Sequence, residues 1–120
     1  MKNDIIFIKH IFDAISKIER FIQSVPFDNF VDNEMMLSAV IRELEIVGEA
    51  SNKISKDFQA KYHEIPWAEI IGMRNRLIHK YFGVDADLVW QTCQNNLPKL
   101  KKNLLSLMKS AEEQTEGKLI

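Results

Sequence analysis

Isoleucines recur at Ile8, Ile11, Ile15, Ile18 and Ile22, three and four residues apart. That spacing lays one apolar stripe along a helix. It predicts a first helix over roughly residues 4–24, stopped by Pro26. Leu37, Val40, Leu44, Val47, Ser51 and Ile54 form a second stripe, which predicts a helix over roughly 32–54 with Asp32 as its N-cap. Gly48 and Ala50 fall inside it. A mid-helix glycine costs about 1 kcal/mol against alanine, so close approach by a neighbouring element is the expected reason for Gly48. A short helical piece fits Ser55 to Lys61. Pro66 suits a first helical turn and predicts a third helix to about Phe82, with Gly83 as a left-handed C-cap. Asp85 then caps a fourth helix reaching about Ala111, kinked by Pro98 and striped by Leu97, Leu100, Leu104, Leu107 and Ala111. No alternating strand pattern stands out. The expected architecture is all-α, an antiparallel four- to five-helix bundle: one domain over 1–111 with a frayed C-terminal tail over 112–120.

Composition narrows the function. A chain of 120 residues fits one domain, and 46% apolar content argues against disorder. A net charge of -1 argues against a general electrostatic grip on nucleic acid, so any phosphate binding must come from a local patch. Cys93 is the only cysteine, which excludes an intrachain disulfide or a CxxC zinc site and fits a reducing compartment. The run Ile5-Ile6-Phe7-Ile8 is soon broken by Lys9, His10 and Asp13, too short for a signal peptide. No stretch approaches the ~20 apolar residues of a membrane span. A soluble, cytoplasmic protein with no membrane partner is expected.

The chemistry concentrates in Arg74-Asn75-Arg76-Leu77-Ile78-His79-Lys80-Tyr81. Arginine grips phosphate through a planar fork of donors, and histidine moves protons near neutral pH. On a regular helix Arg74 and His79 diverge by about 140°, whereas Asn75 shares a face with His79, Arg76 with Lys80, and Arg74 with Ile78. A compact Arg/His site is therefore easier to build from two copies of this helix meeting across a twofold axis. RNA cleavage by internal transesterification needs a base for the 2′-OH, an acid for the leaving 5′-oxygen and cations for the charge on phosphorus. It needs no metal, and the chain shows no HExxH motif or carboxylate-rich cage; no cofactor is expected. The plain alternative for an Arg–His pair is a solvated helix face or a partner for the C-terminal helix dipole.

The segment Pro66-Trp67, followed by Ile71 to Asp85, resembles the HepT-like branch of the HEPN superfamily, whose hallmark is Arg, four residues, His, any residue, Tyr. Arg74, His79 and Tyr81 match it, and Asn75 matches the polar residue common after the arginine. Ile46-Val47-Gly48-Glu49-Ala50, Val89-Trp90 and Asn96-Leu97-Pro98 extend the likeness over nearly the whole chain. The resemblance implies a helical homodimer with a composite, metal-independent RNase site at its interface, with Arg74, His79 and Asn75 as its catalytic residues. It implies the toxin half of a type VII (HEPN/MNT) toxin–antitoxin system. The partner would be an MNT-type nucleotidyltransferase antitoxin that uses ATP to place AMP on Tyr81. Bulky, anionic AMP two residues from His79 would block the cleft and compete for its arginines. A packing tyrosine is the plain alternative for Tyr81.

Glu49 could orient Arg74 or His79, or could be a solvated helix residue; Glu43 has a weaker claim, and Arg76 is possible support. His10 and His63 read as surface or structural. Lys99, Lys101, Lys102 and Lys109 could touch RNA, though a solvated face is the simpler reading. Trp67 and Trp90 read as core or interface anchors, and Met35, Met36 and the aromatics as core. Two rivals to the RNase reading stand. One is a non-catalytic HEPN module that binds nucleotide or a nucleotidyltransferase partner. The other is a plain dimeric bundle without chemistry.

Overall fold

The computed structural model describes the backbone of residues 2–79 and 83–119, and the side chains of 3–78 and 83–111. Three long helices carry the fold: α1 (Lys2–Ile22), α3 (Glu34–Lys53) and α8 (Leu97–Leu119). Short helices α2 (Phe27–Val31), α4 (Lys56–Lys61), α5 (Trp67–Ile71), α6 (Met73–Leu77) and α7 (Ala86–Gln91) link them. The all-α class holds. The isoleucine stripe of α1 is its core face: Ile8, Ile11, Ile15 and Ile18 are all fully buried. Each such side chain contributes about 1.5–3 kcal/mol of hydrophobic stabilisation. Asp4, near the start of α1, accepts from the Ser55 N–H and Oγ–H, just past α3, both at 2.8 Å. Near the other end, Lys17 meets Glu43 at 3.9 Å. α1 and α3 are therefore antiparallel.

Several boundaries differ from the sequence reading. Asp32 does not start the second long helix. It follows the extra helix α2, and Asn33 caps α3 by accepting from the Met36 N–H at 3.0 Å. The fully buried Phe30 explains α2, since it packs at 5.0 Å against the Trp90 ring. Met35 is 83% exposed rather than core, and Phe21 and Phe27 also reach solvent. Trp67 is the anchor expected, buried with its indole N–H donating to the Tyr62 carbonyl at 3.1 Å.

The largest departure is the third helix. Gly72 (φ -83, ψ -1) separates α5 from α6, and Ile78 (φ -118, ψ 114) ends α6. Ile78–His79 forms β1, paired antiparallel with β2 (Gly83–Val84) in the register Ile78↔Val84 and His79↔Gly83. Gly83 does take a left-handed φ of 77, but in this hairpin and not as a helix cap. The Asp85 N–H donates to the Leu77 carbonyl at 2.9 Å, tying the two sides together. β-branched Ile78 and Val84 suit the extended pairing, so a local helical pattern yields to a cross-strand contact.

Asp85 caps α7 as expected, accepting from the Leu88 N–H at 3.0 Å. The irregularity anticipated at Pro98 takes the form of a π-helical turn, Thr92–Asn96, just ahead of α8. Proline lacks the N–H that would bond four residues back, and its ring crowds that carbonyl; a widened turn relieves both. Cys93 sits in this turn, and burial pushes its thiol up to about 12.

Gly48 behaves as the sequence suggests. A Cβ there would lie 3.4 Å from the Ile70 carbonyl oxygen and 3.5 Å from that of Ile71. Gly48→Ala is therefore tolerated and gains up to about 1 kcal/mol of helix propensity, whereas Gly48→Leu overpacks the contact and costs about 1–3 kcal/mol. Urea unfolding of both variants checks this; equal stability would refute the close approach. Cys93 gives a second test. Its stability contribution is whole below the ordinary thiol value of 9.0 and falls as pH rises from there towards about 12. A thiol-reactive dye should label it only on unfolding, and rapid labelling of folded protein at pH 8 would contradict its burial.

Candidate active site

Arg74 is the second residue of the five-residue α6, near its N-terminal end, and the buried Met73 and Leu77 fix the helix against the core. Its neighbours Asn75 and Arg76 are exposed. The Ile78 N–H donates to the Arg74 carbonyl, so the backbone of Arg74 is coupled directly to the strand that carries His79. His79 lies in β1 opposite Gly83. The expected 140° divergence of Arg74 and His79 does not apply, because the helix ends at Leu77. For the same reason Asn75 does not share a helical face with His79, nor Arg74 with Ile78. The geometric case for a site shared between two copies falls with it. Tyr81, expected as the AMP acceptor, lies outside the described residues, as does Lys80.

Arg74 Nε lies 3.5 Å from Glu45 Oε1, and Arg42 Nη1 lies 4.0 Å from Glu45 Oε2. One carboxylate on α3 thus bridges two arginines. Among the described residues Arg74 makes its ion pair with Glu45, not with Glu49, which lies one turn further along α3 and is exposed. Sequence reasoning missed Glu45. The available signal was its i,i+4 relation to Glu49, which places both on the side of α3 where Gly48 meets α5. Glu43 is buried and turned to Lys17 on α1, away from Arg74.

Arg76 leaves the opposite side of α6 and donates from Nη2 to the Glu69 carbonyl at 2.9 Å. The lysine stretch also divides: Lys101 pairs with Glu19 at 2.8 Å, while Lys99 borders a cleft with Arg76. His10 and His63 are exposed. Arg74 is about half exposed and Glu45 largely covered, so their pair is worth at most ~1 kcal/mol. Its effect is geometric: it restricts the guanidinium through a contact at Nε. Such a guanidinium suits phosphate, which takes two parallel donors.

Residues 11–107 match the model of the Ribonuclease HepT-like family, and the chain belongs to that family. It is 42% identical over 98 residues to a provisionally named RNase of Methanocaldococcus jannaschii, covering 82% of this chain and 90% of that one. It is 43% identical over 103 residues to a provisionally named ribonuclease HepT of Thermococcus cleftensis, covering 86% and 94%. A second M. jannaschii relative, named as a gamma-glutamylcyclotransferase and provisional RNase, is 38% identical over 119 residues, which cover 98% of this chain but 54% of that protein. No solved structure matches. Among the described residues no helix is long and apolar enough to cross a membrane.

The bridge makes a separable prediction. Glu45→Ala lowers stability by less than ~1 kcal/mol, because the pair is solvent-screened. The Arg74 Nε–H resonance should nevertheless shift and the side chain become more mobile, as followed by side-chain NMR. An unchanged Arg74 signal would show that Glu45 does not hold it.

Proposed function

We propose that this member of the HepT-like ribonucleases is a metal-independent RNA endonuclease. The observation that carries the reading is the exposed Arg74 guanidinium, held by Glu45 at the end of α6 and joined through its own carbonyl to the hairpin carrying His79. In the reaction the RNA 2′-oxygen attacks the adjacent phosphorus, the bond from phosphorus to the 5′-oxygen breaks, and a 2′,3′-cyclic phosphate forms. One histidine takes the 2′-OH proton and another protonates the leaving oxygen. Arg74 stabilises the charge on the phosphoryl oxygens, and Asn75, exposed beside it, supplies a further donor. A homodimer with a composite site provides both imidazoles as two copies of His79; this part rests on the family resemblance.

The wider role is that of the toxin of a type VII toxin–antitoxin pair in the cytoplasm. An MNT-type nucleotidyltransferase antitoxin would transfer AMP from ATP to the Tyr81 hydroxyl, releasing pyrophosphate. The added phosphate would compete with RNA for Arg74 and crowd His79.

Protein free of any partner should cleave RNA in EDTA and leave cyclic phosphate ends. His79→Ala and Arg74→Ala should each lower cleavage by about 10²-fold or more without unfolding the bundle. Equal activity in wild type and His79→Ala would remove the catalytic assignment. With ATP and the cognate nucleotidyltransferase, the wild type should gain AMP mass and Tyr81→Phe should not. Unmodified wild-type protein would count against the switch.

A further inference from the structure

Arg74 and Arg76 are two residues apart on α6, about 200° around the helix. Arg74 faces α3, and Arg76 borders a separate cleft of about 250 Å³ between α5–α6 and the segment from α7 to α8. Ile70, Met73, Leu88, Leu97 and Leu100 give this cleft an apolar lining. Asn96, Lys99 and Asn103 border it from one stripe of the π turn and α8, spaced by three and four residues. Glu69 and Arg76 border it from the facing wall. The rim thus brings two cations against one carboxylate, on a chain whose net charge is -1.

These features select a ligand chemistry. The volume lies below the ~300–1,000 Å³ of a drug-sized pocket, so the cleft admits one small unit and not a helix. An apolar wall suits a flat ring, and the thioether of Met73 is well suited to aromatic contact. Two amides can pair with the edge of a base. Arg76, already steadied by the Glu69 carbonyl, and Lys99 across from it suit a phosphate.

We propose that this cleft is a nucleotide subsite of the RNA strand. It seats one base on the Met73–Leu100 lining and the phosphate of that nucleotide between Arg76 and Lys99. The inference rests on the RNA-cleaving reading, and it makes α6 a two-sided element: Arg74 serves the reacting phosphate and Arg76 a neighbouring one.

A 2′-O-methyl RNA oligomer is the probe, because it has no 2′-OH proton to lose and binds without being cut. Its affinity for the full chain is measured over a salt series by fluorescence anisotropy. Lys99→Ala should weaken binding about five- to tenfold and reduce the log–log salt slope by about 0.7, the value for one phosphate of a single strand. Asn103→Trp, which fills the cleft from a half-buried rim position, should weaken binding comparably. An abasic oligomer of equal length should bind the wild type more weakly. With cleavable RNA, Lys99→Ala should raise KM while leaving kcat within about twofold. Unchanged binding by both folded variants would overturn the subsite, as would AMP alone binding as tightly as the oligomer. A changed oligomeric mass in either variant would assign the cleft to a second copy of the chain and overturn it too. Wild-type protein that binds the methylated oligomer through the cleft yet cuts no RNA would sink the nuclease reading and leave the subsite standing.

Discussion

The distance at which α3 lets the α5–α6 segment approach is the constraint on which the site depends. At Gly48 the helix surface has no side chain, and the carbonyls of Ile70 and Ile71 come within ordinary contact of where a Cβ would stand. One turn earlier on α3 is Glu45; one turn later on the facing segment is Arg74. The close seat at Gly48 is what places their opposite charges within reach across the two elements. A bulky residue there would separate the backbones and draw out the ion pair, although it touches neither charged group.

The pair itself stabilises the fold very little, because both groups meet solvent. Its value lies in restricting a long side chain that would otherwise sample many rotamers. An arginine held through Nε presents its remaining donors in a narrower range of directions, which lowers the ordering cost of meeting a phosphate. α6 is also too short to persist by its own hydrogen bonds. Its place is set by Met73 and Leu77 in the core and by the Leu77 carbonyl accepting from Asp85. Core packing thus fixes the backbone of Arg74, and α3 fixes the guanidinium.

The long elements were legible because periodicity reports burial directly. Every residue of the α8 stripe from Leu97 to Ala111 is buried, and Ile8, Ile11, Ile15 and Ile18 of the α1 stripe are fully so. The short elements were not. α2 exists to bury Phe30 against Trp90, a contact some sixty residues apart in sequence that no local window contains. At Ile78 the helical pattern continues on paper, but pairing with Val84 and the bond from Asp85 to Leu77 end the helix. Arg74, Asn75 and His79 were singled out from residue type and motif, which do not depend on the secondary structure assigned to them. Their mutual geometry was not, because it depended on that error. Glu45 was missed since an acidic residue on a helix is ordinary until its cross-helix partner is known.

A net charge of -1 gives little long-range attraction for RNA, and at physiological salt exposed charges act over only about 8 Å. Any affinity must then come from cations concentrated within a few residues. The short helix α6 projects Arg74 and Arg76 to opposite sides, one beside α3 and one beside α8, and in the proposed reading these are such cations. Lys99 adds to the second side, while Lys101, two residues on, is turned to Glu19. The basic stretch of α8 is therefore divided by helical geometry into a lysine committed to the fold and a lysine open to the cleft. Local placement, and not overall charge, is the physical basis on which so nearly neutral a chain can hold a polyanion.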